Sequence, residues 1–334
     1  MLLVGDIGGT KTDLALFPLE NNPSDQDEPQ AELQVTFKSS KYASLEEIIH
    51  EFITNNKVTP TKAVFGVAGP VHDGESKITN LPWHISEKTL ADTFHFQSTK
   101  LLNDLEAIAH SVPYLTTRHL EPLNGELGER TMGHNKAVIA PGTGLGEALL
   151  VYANDAYHVV ASEGGHTDFA PKSLFEIEFL KHLLGKFNHV SYERVCSGAL
   201  GIPNIYDYLN ESHYATETLQ VAAALKEATD PTPIIVQAAL DEESDLCIQT
   251  LNAFISILGS EAGNLALKAM ATGGVYLGGG IPPRILSKLK DGTFMAAFVK
   301  KGRFSDTLAH IPVYVILHKK PALFGAAYYG LKQL

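Results

Sequence analysis

Two stretches of this chain follow the same local plan, and that plan limits the fold more than any other feature of the sequence. An apolar strand at 2–5 runs into Asp6-Ile7-Gly8-Gly9-Thr10, and a second strand follows at 12–17. Further on, a strand at 137–140 runs into Pro141-Gly142-Thr143-Gly144-Leu145-Gly146, and another follows at 148–152. A strand that meets a glycine-rich turn and then a second strand reads as a hairpin. Its recurrence reads as an internal duplication, with one hairpin in each of two domains.

The intervening elements agree with this. Residues 21–30 are polar and contain prolines, the pattern of an exposed loop, and a third strand follows at 32–38. Ser44-Leu45-Glu46-Glu47 is a capping box that opens a helix running to about residue 55. Strands at 63–68 and 100–102, and helices at 86–93 and directly after Asp104, complete the order β-β-β-α-β-α-β-α. That order implies an α/β mixed sheet with helices packed on it. The second half adds a strand at 156–161 and helices at 173–176 onward, 191–195 and 243–270. A strand at 275–277 leads into Gly278-Gly279-Gly280, and the chain closes with a strand at 312–317 and a helix at 321–332. Two facing domains of this kind would leave a cleft able to enclose a ligand.

Composition removes several classes of function. Hydrophobic residues make up 44% and charged residues 19% of the 334, the balance of a globular protein. A net charge of −12 argues against a nucleic-acid coat or a membrane-surface binder, which need clustered cations. It leaves phosphate binding open, because backbone amides can hold phosphate with few cations. Cys196 and Cys247 make neither a CxxC pair nor a four-ligand zinc site and read as reduced thiols. No signal-peptide pattern and no apolar run near the ~18 residues of a membrane span is present, so the expected place is the cytoplasm.

The glycine turns carry the first chemistry. Gly8 and Gly9 are expected to permit positive φ and a close approach of ligand to backbone amides. Thr10 and Lys11 beside them suit phosphate oxygens, and Asp6 at the strand end suits Mg²⁺. A tight hairpin without ligand explains the same turn. Gly142, Thr143, Gly144 and Gly146 form a second turn that leads into a strand, not a helix, so it is no dinucleotide fingerprint. No GxxxxGK[ST] loop occurs. With Gly278, Gly279 and Gly280, three clusters at strand ends together point to a nucleotide.

Asn103 and Asp104 follow an apolar strand and precede a helix, at the sheet edge where α/β proteins bind ligands. An Asp there can accept the proton of an attacking hydroxyl, or merely cap the helix. Glu163-Gly164-Gly165-His166 offers a carboxylate and an imidazole beside flexible backbone, a set suited to vicinal hydroxyls. Glu193, judged by spacing alone, is only a helix-start glutamate.

Read together, these segments resemble a known family. They are VGDIGGTKTDLALF at 4–17, VAGPV at 67–71, NLPWHIS at 80–86, LLNDLEAIA at 101–109 and APGTGLGEALL at 140–150. SEGGHTDFAP at 162–171, HVSYERVCSGALGIPNIY at 189–206, GGVYLGGGIPPR at 273–284 and KGRFSDTLAHIPVYVILH at 301–318 continue the series. The chain resembles the bacterial glucokinase family, the group lacking a zinc-binding cysteine cluster, within the actin-like ATPase and sugar-kinase superfamily. The resemblance implies a two-domain actin-like (ribonuclease H-like) fold with an interdomain active-site cleft. It places 1–112 plus 308–334 in a small domain and 113–307 in a large one. It implies ATP-dependent phosphorylation of glucose at the 6-hydroxyl, with Asp104 as general base and Asn103, Glu163, His166 and Glu193 holding the sugar. ATP phosphates then fall on residues 6–11 and 142–146, adenosine near residues 278–280, and Mg²⁺ at Asp6 through water. A homodimer is implied as well. Lys11 stands where some relatives carry Asn, and Ala199 where Pro is common.

Three rival readings differ from this. A kinase for mannose, fructose or an N-acetylhexosamine would share the chemistry. A sugar-responsive regulator would need a DNA-binding module ahead of a turn that starts at residue 6. An actin-type assembly ATPase would not need the sugar-like set at residues 163–166.

Overall fold

The structure, a computed structural model, describes residues 1–20, 28–78, 81–125 and 133–334. Asn80 and most of the loop expected at 21–30 lie outside them. The chain forms two compact units, one of Met1–His119, Val159–Ala161 and His318–Leu334, the other of Leu120–His158 and Ser162–Leu317.

In the first unit, Leu2–Ile7 and Lys11–Phe17 form the expected hairpin, with Leu2 opposite Phe17 and Ile7 opposite Thr12. Leu33–Lys38 adds antiparallel to the outer side of the hairpin. Lys62–Val67 and Ser98–Asn103 add in parallel on the other side. Inward-facing Leu3, Ile7, Leu14 and Leu16 pack with Ile48, Ile49 and Phe52 of the helix Leu45–Asn56. Burying such side chains contributes about 1.5–3 kcal/mol each, which holds the sheet rigid beneath its loops.

Helix starts follow the sequence signals with one difference. Ser44 caps its helix at Glu47 N (3.4 Å), but the Glu47 carboxylate reaches Ala43 N–H, one residue before the cap. Ser173 and Glu176 repeat this, with Glu176 accepting from Lys172 N–H. The reciprocal box forms at Asn103, whose N–H donates to Glu106 Oε2 at 3.3 Å.

The second unit repeats the topology of the first. Lys136–Pro141 and Leu145–Ala153 form the hairpin, while Val275–Leu277 and Val313–Ile316 join in parallel. The sheet order is Ala156–Ser162, Leu145–Ala153, Lys136–Pro141, Val275–Leu277, Val313–Ile316 and Leu120–Pro122. Its first five strands match the first sheet in order, so the duplication covers a whole sheet and not only a hairpin. The helix Asp245–Ala269 runs through the core, burying Leu251, Phe254, Ile255 and Leu258. Helices Gly201–Glu211 and Thr232–Leu240 pack on it. Neither has a side-chain N-cap. Among the described residues no helix is long and apolar enough to cross a membrane.

Candidate active site

The first unit brings its candidate residues together through strand register. Ile7 lies opposite Val67, and Val67 opposite Asn103, so three parallel strands end in line. Asp6 precedes that edge and Asp104 follows it. Asn103 is the N-cap of the helix Asp104–Ser111: its Oδ1 accepts from Leu105 N–H at 2.9 Å, and its Nδ2 donates to Gly69 O at 3.0 Å. Its second amide hydrogen is left over for a ligand. Asp104 Oδ1 also accepts from Leu105 N–H at 2.9 Å, which fixes the carboxylate at the helix N-terminus.

Asp6 is partly buried. Burial pushes its pKa up to about 6, and the charges of Asp104 and Asp13 add to the rise. The spot therefore holds more negative charge than it accommodates comfortably, and a divalent cation with its preference for hard oxygen ligands would relieve that. Asp13 behaves differently. Burial raises its pKa, but hydrogen bonds from Thr36 and from Lys320 Nζ (2.9 Å), with Lys11 at 3.8 Å, outweigh it and hold Asp13 below the usual carboxylate range.

The turn at residues 8–10 is tightened by a residue the sequence did not single out. Ser39 Oγ donates to Gly8 O at 2.8 Å, and Ser39 N–H donates to Thr10 O at 3.1 Å. Thr10 and Lys11 are exposed beside it. Gly8 and Gly9, expected to use positive φ, do not adopt it. The positive-φ glycines are elsewhere, including Gly274 and Gly279. A Cβ on Gly8 would lie tightly at 3.2 Å from Lys11 O, whereas one on Gly142 would meet nothing within 4 Å.

The second unit gathers the remaining candidates. Gly278 N–H donates to Ile139 O at 2.9 Å, which sets the 278–280 glycines beside the turn that follows the Lys136–Pro141 strand. A Cβ on Gly279, where φ is 82°, would strike Pro141 O at 2.4 Å. Gly198 N–H to Gly142 O (2.8 Å) and Ala199 N–H to Thr143 O (3.1 Å) fasten the same turn to the start of the Gly201–Glu211 helix region.

Glu163, His166 and Glu193 form one array. His166 Nε2 lies 3.8 Å from Glu163 Oε2, and its Nδ1 lies 3.5 Å from Glu193 Oε2. Glu163 and His166 are well exposed, and Glu193 is about a quarter exposed. Glu193 is thus no ordinary surface glutamate at a helix start. It presses on the glycine turn, since a Cβ on Gly144 would lie 2.7 Å from Glu193 Oε1. Gly164 and Gly165 are not there for flexibility either. A Cβ on Gly165 would meet Leu145 O at 2.1 Å, so the loop rests directly on the neighbouring strand.

Two sheets of one topology, each ending in a glycine turn, with a carboxylate at one sheet edge and a carboxylate–imidazole array on the other unit, define an actin-like sugar kinase. The Glucokinase family model matches residues 3–333. The glucokinase of Nostoc punctiforme is 37% identical over 98% of both chains. The crystal structure of a glucokinase from an Antarctic psychrotroph superposes with a TM-score of 0.84 at 33% identity, covering 98% of each chain. A glucokinase of the ROK family from Streptomyces griseus, in complex with glucose and AMPPNP, shares the fold with a TM-score of 0.63 at 17% identity, covering 98% of each chain. This chain belongs to the glucokinase family.

Proposed function

We propose that this chain transfers the γ-phosphoryl group of ATP to the 6-hydroxyl of D-glucose. The observation that carries the reading is the Glu163–His166–Glu193 array, in which two carboxylates flank one imidazole within 3.8 Å. Such a set offers several acceptors and a ring nitrogen to adjacent hydroxyls, which suits a polyol and serves no purpose in a bare ATPase. The glucokinase names of its relatives support glucose, and the AMPPNP bound by a neighbour of the same fold supports the nucleotide.

In this reading Asn103, Glu163, His166 and Glu193 orient the sugar, and Asp104 takes the 6-hydroxyl proton as the oxygen attacks. The backbone amides of residues 8–10 and 142–146 hold phosphate oxygens, with Thr10, Lys11 and Thr143 beside them, and residues 278–280 take the adenosine. Positioning and charge stabilisation supply most of the acceleration in phosphoryl transfer. Magnesium, when bound, neutralises charge on the phosphates. Asp6 would hold it, through water, for the electrostatic reason given above. Two buried free thiols suit a reducing cytoplasm. A homodimer suits the exposed Leu174, Ile177 and Leu184 on one helix, and sedimentation at the mass of one chain would contradict it.

A panel of hexoses compared by kcat/KM tests the substrate. Glucose should lead mannose, fructose and N-acetylglucosamine; another sugar in front would keep the chemistry and replace the substrate. Gly144→Ala tests the array. Its Cβ should displace Glu193 and raise the glucose KM about 10–100-fold, the scale of one lost charged hydrogen bond, with Tm nearly unchanged. An unaltered glucose KM would remove Glu193 from the sugar site.

A further inference from the structure

Beneath the 163–166 loop lies an ionisable group that the proposed chemistry leaves unused. Glu147 is on the strand Leu145–Ala153, opposite Ile139, and is 2% exposed. Gly164 sits directly on it: a Cβ there would lie 2.0 Å from Glu147 Oε2 and 3.2 Å from Glu147 Cβ. The other oxygen, Oε1, is buried without a protein hydrogen-bond partner among the described residues.

The groups around it give little relief. Glu261, on the helix Asp245–Ala269, is fully buried and repels Glu147; it is itself held by Asn264 Nδ2 (2.8 Å) and Lys268 Nζ (3.4 Å). Lys268 is more than half exposed and attracts Glu147 weakly. Tyr192 and Cys196, from the segment that carries Glu193, face the same interior and have their pKa values raised, by burial first and by Glu261 next. Lys172 acts on Cys196 and Lys301 on Glu261, but their ammonium groups are engaged by Ser256 O and by Ser260 and Asn264 respectively.

We propose that Glu147, acting from beneath Gly164, is a positioning residue for the sugar-binding loop. The loop has no slack against it. Gly164 N–H donates to Ser162 Oγ (3.0 Å), and Gly164 O accepts from Thr167 N–H (3.0 Å) and Thr167 Oγ1 (2.7 Å), so any shift at Gly164 passes to Glu163 and His166 on either side. A neutral carboxyl fits this dry space, whereas a carboxylate facing Glu261 must move or draw in water. Burial, then Glu261, push the Glu147 pKa up to about 8, so the neutral form prevails near neutrality.

This inference rests on the proposed sugar site, and its sign is fixed. Because the folded pKa exceeds the ordinary carboxylate value, the folded state loses stability as pH rises from about 4.5 through about 8, and the loss is complete above that. If only the neutral form holds the loop, one pH unit above the pKa leaves about a tenth of the protein competent, and the glucose KM rises about tenfold. The experiment compares wild type with Glu147→Gln, which keeps shape and stays neutral, measuring kcat and both Michaelis constants from pH 6.5 to 9. The expected result is a wild-type glucose KM that climbs about tenfold above pH 8 with kcat and ATP KM following other groups. E147Q should stay flat and match wild type near pH 7. Identical glucose profiles in the two active proteins would overturn the role of Glu147 while leaving the sugar site intact. A pH effect confined to the ATP KM would assign Glu147 to the neighbouring phosphate turn and overturn it too. Absence of glucose-dependent turnover in wild type would remove the sugar site and this inference together.

Discussion

Replacing Asp104 by Ala should lower kcat by about 10²–10⁴-fold, the usual cost of losing a general base, while the ATP dissociation constant stays near wild type. The structure makes this a clean test. Asp104 shares Leu105 N–H with Asn103, whose side chain remains to cap the helix, so the variant should lose less than about 1 kcal/mol of stability. Asp104→Asn keeps the shape and removes the base, and should be equally slow. Single-turnover kinetics with glucose and ATP and a nucleotide-binding titration read the two quantities separately. A variant that retained more than about a tenth of the rate would show that another group accepts the proton.

The second large effect is expected far from any ligand, at Gly325. The helix Pro321–Lys332 crosses the helix Asp104–Ser111 so closely that a Cβ on Gly325 would lie 1.8 Å from Ala107 O and 2.7 Å from Ser111 N. Both are backbone atoms, so no side chain can rotate out of the way. Gly325→Ala gains about 1 kcal/mol of helix propensity. Overpacking costs about 1–3 kcal/mol or more, and the helix that must yield is the one that carries Asp104. Tm should fall by several degrees, and kcat should fall with it, since displacement of about 1 Å can cost about 10²-fold. Gly280→Ala, whose Cβ would meet nothing within 4 Å, is the stability control. Equal melting temperatures for the two variants would mean that the helices are not locked at Gly325.

The longer strands, the two glycine-turn hairpins and most helix starts were legible because their signals are local, whereas the short strands Val71–His72, Glu75–Lys77, His84–Ser86 and Leu120–Pro122 were not. Ser44, Ser86, Ser173 and Ser244 each cap the helix that follows them. Gly201–Glu211 and Thr232–Leu240, which have no capping side chain, were not visible, although Pro321–Lys332, which has none either, was. The two halves of the chemistry differed in the same way. Asn103 and Asp104 stand out because strand, cap and helix follow one another in sequence. Glu193 does not, because its meaning lies in contacts with Gly144 and His166, distant in the chain, and only the family resemblance pointed to it. Ser39 and Glu147 gave no signal at all, one reaching across 31 residues to Gly8 O and the other buried under Gly164. The glycines were located correctly but for a partly wrong reason. At Gly144, Gly164 and Gly165 the requirement is room for a neighbouring atom, a property of packing that sequence spacing does not express.

The most direct test of the account is the product formed when the purified chain is given ATP, Mg²⁺ and glucose, set against ADP release without sugar. The account predicts rapid ADP release that needs glucose, in equal amount with a hexose phosphorylated on its 6-oxygen, and almost none in the control. ADP release at the same rate with and without sugar, and no phosphorylated hexose, would contradict it.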